Sequence, residues 1–190
     1  LKAQFAGGSG TEADPYQIET VEHLQKIRNY TNKHFVQISD IDASKTKILN
    51  GGNGFNPIGD EAIPFTGLYD GNSYLIDSLI INRSDEEFVG LFGYLRDAKI
   101  NNVRLTNAYI HGDSNVGGLT GVLKNSTLNN VDLSGKIVGT WVVGGLVGRN
   151  EGEIYNSKTF GEVEGFISGY HAYIIGGLVG LNFNLIKNCF

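Results

Sequence analysis

Glycine arrives in this chain in boxes, and the boxes repeat. "VGLFGYLRDAKINNV" (89–103), "VGGLTGVLKNSTLNNV" (116–131), "VGGLVGRNEGEIYNS" (143–157) and "IGGLVGLNFNLIKNC" (175–189) share one order. Each reads apolar residue, Gly, short apolar step, Gly, polar turn, apolar residue, one variable position and Asn. The closing glycines, Gly93, Gly121, Gly148 and Gly180, are 28, 27 and 32 residues apart. A period of roughly 20 to 50 residues is the mark of stacked-repeat architectures, because one unit of that size cannot bury its own apolar face. Upstream, "FTGLYDGNSYLIDSLIIN" (65–82) reads as a degenerate first copy, with Ile76 aligned to Ile100, Leu128, Ile154 and Ile186.

Within a copy the apolar residues alternate with polar ones and are broken by Gly, Asn and Asp, which means short strands joined by turns. Equivalent strands of successive copies then pair about 4.8 Å apart. The expected fold is all-β: a right-handed parallel β-helix, or β-solenoid, of about five coils, the last one truncated. The hand is the general preference of parallel crossovers. In such a stack Gly93, Gly121, Gly148 and Gly180 supply either positive φ or close approach between coils. Asn102, Asn130, Asn156 and Asn188 line up as a buried amide ladder. Cys189 takes the position of Val103 and Val131, where a buried, inert thiol behaves as a small apolar residue.

The boxes, "VGGLVGRNEGEIYNS" and "IGGLVGLNFNLIKNC" above all, resemble the GLUG motif, named for its Gly-Leu-any-Gly core. That motif is found in large bacterial surface proteins, adhesins and the N-terminal regions of IgA-specific metallopeptidases. The resemblance covers roughly residues 65–190, with Thr120 and Phe92 departing from the box. It implies a parallel β-helical extracellular module and no one shared ligand. Residues 5–44 are similar to the entry segment that opens many surface β-helices.

That leading segment, residues 1–64, is expected to cap the stack. Thr20 is a candidate helix N-cap, Glu22 favours the first turn, and Val21, Leu24, Ile27 and Tyr30 recur on one helical face, so a short capping helix is predicted near 20–32. A helix laid over an open solenoid end would cover apolar core and strand edges. At the other end the chain stops within a copy, and a longer exported parent protein is expected.

Several function classes lose support from composition. A net charge of −5 disfavours a nucleic-acid partner, since phosphate contacts need clustered Lys and Arg. The longest apolar run, residues 172–181, is far short of the roughly 20 residues of a membrane-spanning helix. One cysteine excludes an internal disulfide framework. His23, His34, His111 and His171 include no His-Glu-x-x-His zinc pair. The His, Asp and Ser of "HGDS" (111–114) are turn neighbours and not a triad, and Asp60 with Asp70 lacks any spacing that marks a glycosidase pair. The chain is therefore read as no enzyme, with no cofactor beyond a candidate calcium pair, Asp40 and Asp42, whose two-residue step puts both carboxylates on one side of an extended segment. The irregular insertions ahead of the last two boxes carry Trp141, Phe166, Tyr170, His171 and Tyr173, a candidate aromatic ridge for a carbohydrate or a host protein. The functional expectation is a noncatalytic structural or adhesive module, extracellular or at the cell surface. The alternative is an accessory domain of a secreted peptidase or polysaccharide-degrading enzyme.

Overall fold

The computed structural model describes residues 4–166 and 173–190. Every strand pair inside it is parallel, and the register repeats from coil to coil, which makes the chain a parallel β-solenoid. One inward column runs its length: Tyr16, Phe35, Tyr69, Ile100, Leu128, Ile154 and Ile186 each sit opposite the next. All but the two end members are fully buried. A second column joins Ile41, Ile76, Leu105, Leu133 and Thr159. A third joins Ile81, Ile110, Ile137 and Val163, and a fourth Val89, Val116, Val143 and Ile175.

The fourth column, which runs through the glycine boxes, has one member per complete turn and gives about four turns where the sequence suggested about five. The expected alignment of Ile76 with Ile100 is also corrected. Tyr69 is the partner of Ile100, whereas Ile76 pairs with Leu105 on the next face. The leading segment also does more than cap. Strands Tyr16–Ile18, His34–Gln37 and Ile41–Asp42 carry the first rungs of the same parallel sheet.

The predicted helix is present but short. It spans Val21–Lys26, with the Thr20 hydroxyl accepting from His23 N at 3.2 Å, and tightens into a 3-10 turn at Ile27–Asn29. Val21, Leu24 and Ile27 are buried in the same core as the first rungs. Tyr30 has already left the helix, with φ −141°, and its ring meets Phe5 and Tyr16 edge-on. The core changes character along the axis. Phe35, Phe65, Phe92 and Tyr69 interleave at centroid distances of 5.1 to 6.1 Å, and beyond them the columns are aliphatic.

The two repeated residue types divide the work of turning the chain. Gly93, Gly121, Gly148 and Gly180 are absent from the left-handed residues, so positive φ is not what they provide. They provide room: a Cβ on Gly121 would lie 2.5 Å from Asn115 O, and one on Gly148 would lie 2.7 Å from Gly121 O. Positive φ belongs to the asparagines, with Asn102, Asn130, Asn156 and Asn188 at 50° to 58°. Asn is the L-residue that tolerates this region best, since its short amide can bond locally.

Candidate functional site: an aromatic corner

Three successive corners are tied together by backbone bonds. Thr140 N and Trp141 N both donate to Asp113 O, at 2.7 and 3.3 Å, fixing the turn at 139–142 on the turn below it. Phe166 N donates to Gly139 O and Ile174 N to Trp141 O, each at 2.9 Å, fixing the next coil above. The register fixes which side chains meet there: Asn82, His111, Val138 and Glu164 occupy one row, with Phe166 two residues beyond Glu164.

The rings follow from that backbone. Trp141 and Tyr173 lie with centroids 6.2 Å apart and planes tilted by 42°. Phe166, 54% exposed, faces the His111 ring at 6.2 Å, and His111 in turn meets Tyr109 at 6.4 Å. Of the five predicted ridge residues, the structure thus pairs Trp141 with Tyr173 and sends Phe166 to a neighbouring line. Tyr170 and His171 lie outside the described residues. His111 and Tyr109 extend the corner and were not among the predicted ridge residues. The signal that would have found them is register, since one coil period from His111 leads to Val138 and Glu164, beside Phe166.

The corner's electrostatics are mild. Burial holds the His111 imidazole below its ordinary pKa, and its Nδ1 lies 3.2 Å from Asn82 Oδ1. Beside it Lys136 is clasped by Glu164 at 2.7 Å and Glu162 at 3.3 Å, and these carboxylates raise its pKa. The corner thus presents aromatic faces, one imidazole and a lysine held between two carboxylates.

The remaining predicted residues are occupied with structure. Asp40 Oδ1 accepts from Leu75 N at 2.7 Å and Asp42 Oδ1 from Ser44 N at 2.9 Å. Hydrogen bonds from Ser44, side chain and backbone, lower the pKa of Asp42. Both carboxylates cap turns, and among the described residues no group of three or more His, Cys, Asp and Glu is placed to hold a metal ion. Asp60 accepts from Ile63 N, and Asp70 accepts from Asn72 N and from the Asn102 amide.

The asparagine ladder is real but interrupted, and it is not buried. Asn130 donates to Asn102 at 2.8 Å and Asn188 to Asn156 at 3.2 Å, while Asn156 reaches Asn129 instead of Asn130. Asn102 is half-buried and the other three are exposed, because left-handed corners project outward. The buried polar stack lies one residue on. Val131 N donates to Ser157 Oγ at 3.1 Å, and Ser157 N to Cys189 Sγ at 3.4 Å. Cys189 does continue that position but is only half-buried.

No family model matches the chain. It is 46% identical over 110 residues to a protein of Evansella cellulosilytica named "Putative Gly-rich membrane protein", a match covering 56% of this chain and 12% of that protein. It is 38% identical over 153 residues to halomucin of Haloquadratum walsbyi, covering 76% of this chain and 2% of halomucin. The chain therefore spans a small part of the relatives it matches. A crystal structure described as a putative immunoglobulin A1 protease from Bacteroides ovatus superposes with a TM-score of 0.49 at 16% identity, over 98% of this chain and 78% of that one. No helix among the described residues is long and apolar enough to cross a membrane.

Proposed function

We propose that this chain is a noncatalytic, adhesive β-solenoid module of a cell-surface or secreted protein, and that its aromatic corner takes carbohydrate. The observation that carries the reading is the corner itself. Backbone bonds between three coils set Trp141 against Tyr173 and, on the neighbouring line, Phe166 against His111. The names of the two relatives, a Gly-rich membrane protein and a halomucin, agree with a surface role. So does the likeness of the glycine boxes to the GLUG motif of bacterial surface proteins.

A glycan array tests the reading. The wild-type chain should bind at least one neutral glycan, and Trp141→Ala and Phe166→Ala should each weaken that binding by roughly tenfold, the loss of one well-stacked aromatic contact. Equal binding by wild type and both variants, or capture of a protein ligand with no glycan bound, would remove carbohydrate from the corner.

A further inference from the structure

The two ends of the solenoid differ. At the N-terminal end Phe5, Ile18, Leu24 and Ile27 are all within 3% exposure. At the C-terminal end Ile175, the last member of the fourth column, is 47% exposed, the column ends Thr159, Val163 and Ile186 are half-buried, and Phe160, Leu185 and Phe190 are 53%, 42% and 71% exposed. Phe160, Ile175 and Phe190 line a trough of about 510 Å³ together with Ile137, Val163 and Leu178, with Glu162 as its one charged lining residue among those described. The strands Lys158–Gly165, Ile174–Gly176, Val179–Asn182 and Ile186–Lys187 each pair with the coil below. Among the described residues no strand pairs with their other edge. Apolar surface and open strand edges on this scale mark an interaction surface.

The identity of the occupant follows from the glycines. A Cβ on Gly118 would lie 2.6 Å from Gly145 O, and one on Gly145 would lie 2.1 Å from Gly177 O. Gly177 holds the same place in the last box, since Gly145 N donates to Gly176 O and Leu146 N to Leu178 O. Yet a Cβ there meets nothing within 4 Å among the described residues. Below this point the missing Cβ makes room for the carbonyl of the following coil, and at Gly177 that room is open. We propose that the C-terminal face is the docking surface for one further coil of this same repeat, laid in parallel register, with its box backbone against Gly177 and its apolar column residues on Thr159, Val163, Ile175 and Ile186. A globular partner or a tail-to-tail copy would have no use for that register.

The test adds the coil. Phe190 pairs in the position of Lys158, because Phe190 N donates to Ser157 O and Thr159 N to Phe190 O. Lys158 in turn pairs with Asp132. Appending a copy of residues 133–158 directly after Phe190 therefore continues every column in phase. A control carries the same residues shuffled. The extended chain is expected to bind the dye ANS less than the parent, to protect the added segment from proteolysis, and to melt higher. Gly177→Ala should leave the parent's melting midpoint unchanged and lower that of the extended chain by about 5 °C or more. The proposal is overturned if the added coil is digested as fast as the shuffled one, or if Gly177→Ala is equally silent in both chains. It is also overturned if the parent sediments as a dimer that already excludes the dye, which would assign the face to a second copy.

Discussion

Gly145→Ala adds one methyl group where the solenoid has no space for it. The new Cβ would stand 2.1 Å from Gly177 O, and the side chain of Thr159 is 3.0 Å away. A side chain could swing aside, but a backbone carbonyl moves only with its coil. Relief therefore requires the last coil to lift, weakening Leu146 N to Leu178 O at 2.8 Å and Val147 N to Leu178 O at 3.2 Å. Overpacking in a tight core costs about 1 to 3 kcal/mol, and a clash with backbone belongs at the upper end of that range. For a chain of this length about 3 kcal/mol corresponds to a fall of roughly 6 to 12 °C in the melting midpoint. Urea and thermal melts followed by far-UV circular dichroism measure it, and Gly177→Ala, at the equivalent place with no atom of the described residues within 4 Å, is the internal control. If the two variants melt alike, the glycine requirement is a property of the box's local conformation and not of coil-to-coil contact, and the reasoning fails.

Other expectations follow from the same geometry. Asn130 sits at φ 58°, so Asn130→Ala should lose about 1 kcal/mol from left-handed strain, while Asn130→Gly loses less although both remove the bond to Asn102; chemical denaturation separates them. Gln37 is fully buried, donating to Ser39 O and Leu75 O and accepting from the Tyr69 hydroxyl at 3.1 Å. Gln37→Leu should cost about 1 to 3 kcal/mol by stranding these groups, and adding Tyr69→Phe should restore part of the loss in a double-mutant cycle. Asp77 accepts from Thr106 at 2.6 Å, then from Ser78 and Asn107, and these bonds hold its pKa below the ordinary carboxylate value. Its folded pKa thus lies under its unfolded one, so the stability it contributes is complete at neutral pH and is lost on acidification through the folded pKa. Asp77→Asn should flatten the stability profile on the acid side, from about the ordinary carboxylate pKa downward, as chemical denaturation over a pH series would measure.

How much of this was legible in the sequence depends on which residue carries the column. From Ile100 onward the inward positions are Ile, Leu or Ile again, and a glycine box precedes each, so period and register could be read directly. Before Ile100 the same column is filled by Tyr16, Phe35 and Tyr69, with unequal loops between them and no full box. Aromatics in place of aliphatics hide the alignment, so the sequence shows the helix of the leading segment but not the rungs beside it, and sets Ile76 out of register. The helix is legible at its start, where Thr20 caps it, but not at its end, because Tyr30 satisfies the helical pattern while packing on Phe5 and Tyr16 from non-helical backbone. Trp141 and Tyr173 were found by their irregularity. His111 and Tyr109 were not, since only the register of three coils brings them beside Phe166.

The parallel register also decides how such a chain responds to load. Its interstrand hydrogen bonds run along the solenoid axis, so tension along that axis opens the bonds between one coil and the next and leaves the rest closed. A chain held at its two ends would then unspool one turn at a time. Each turn of 27 residues, the spacing of Gly121 and Gly148, releases on the order of 90 Å of slack when fully extended. For a tether, that is a spring whose step length is written in the glycine spacing.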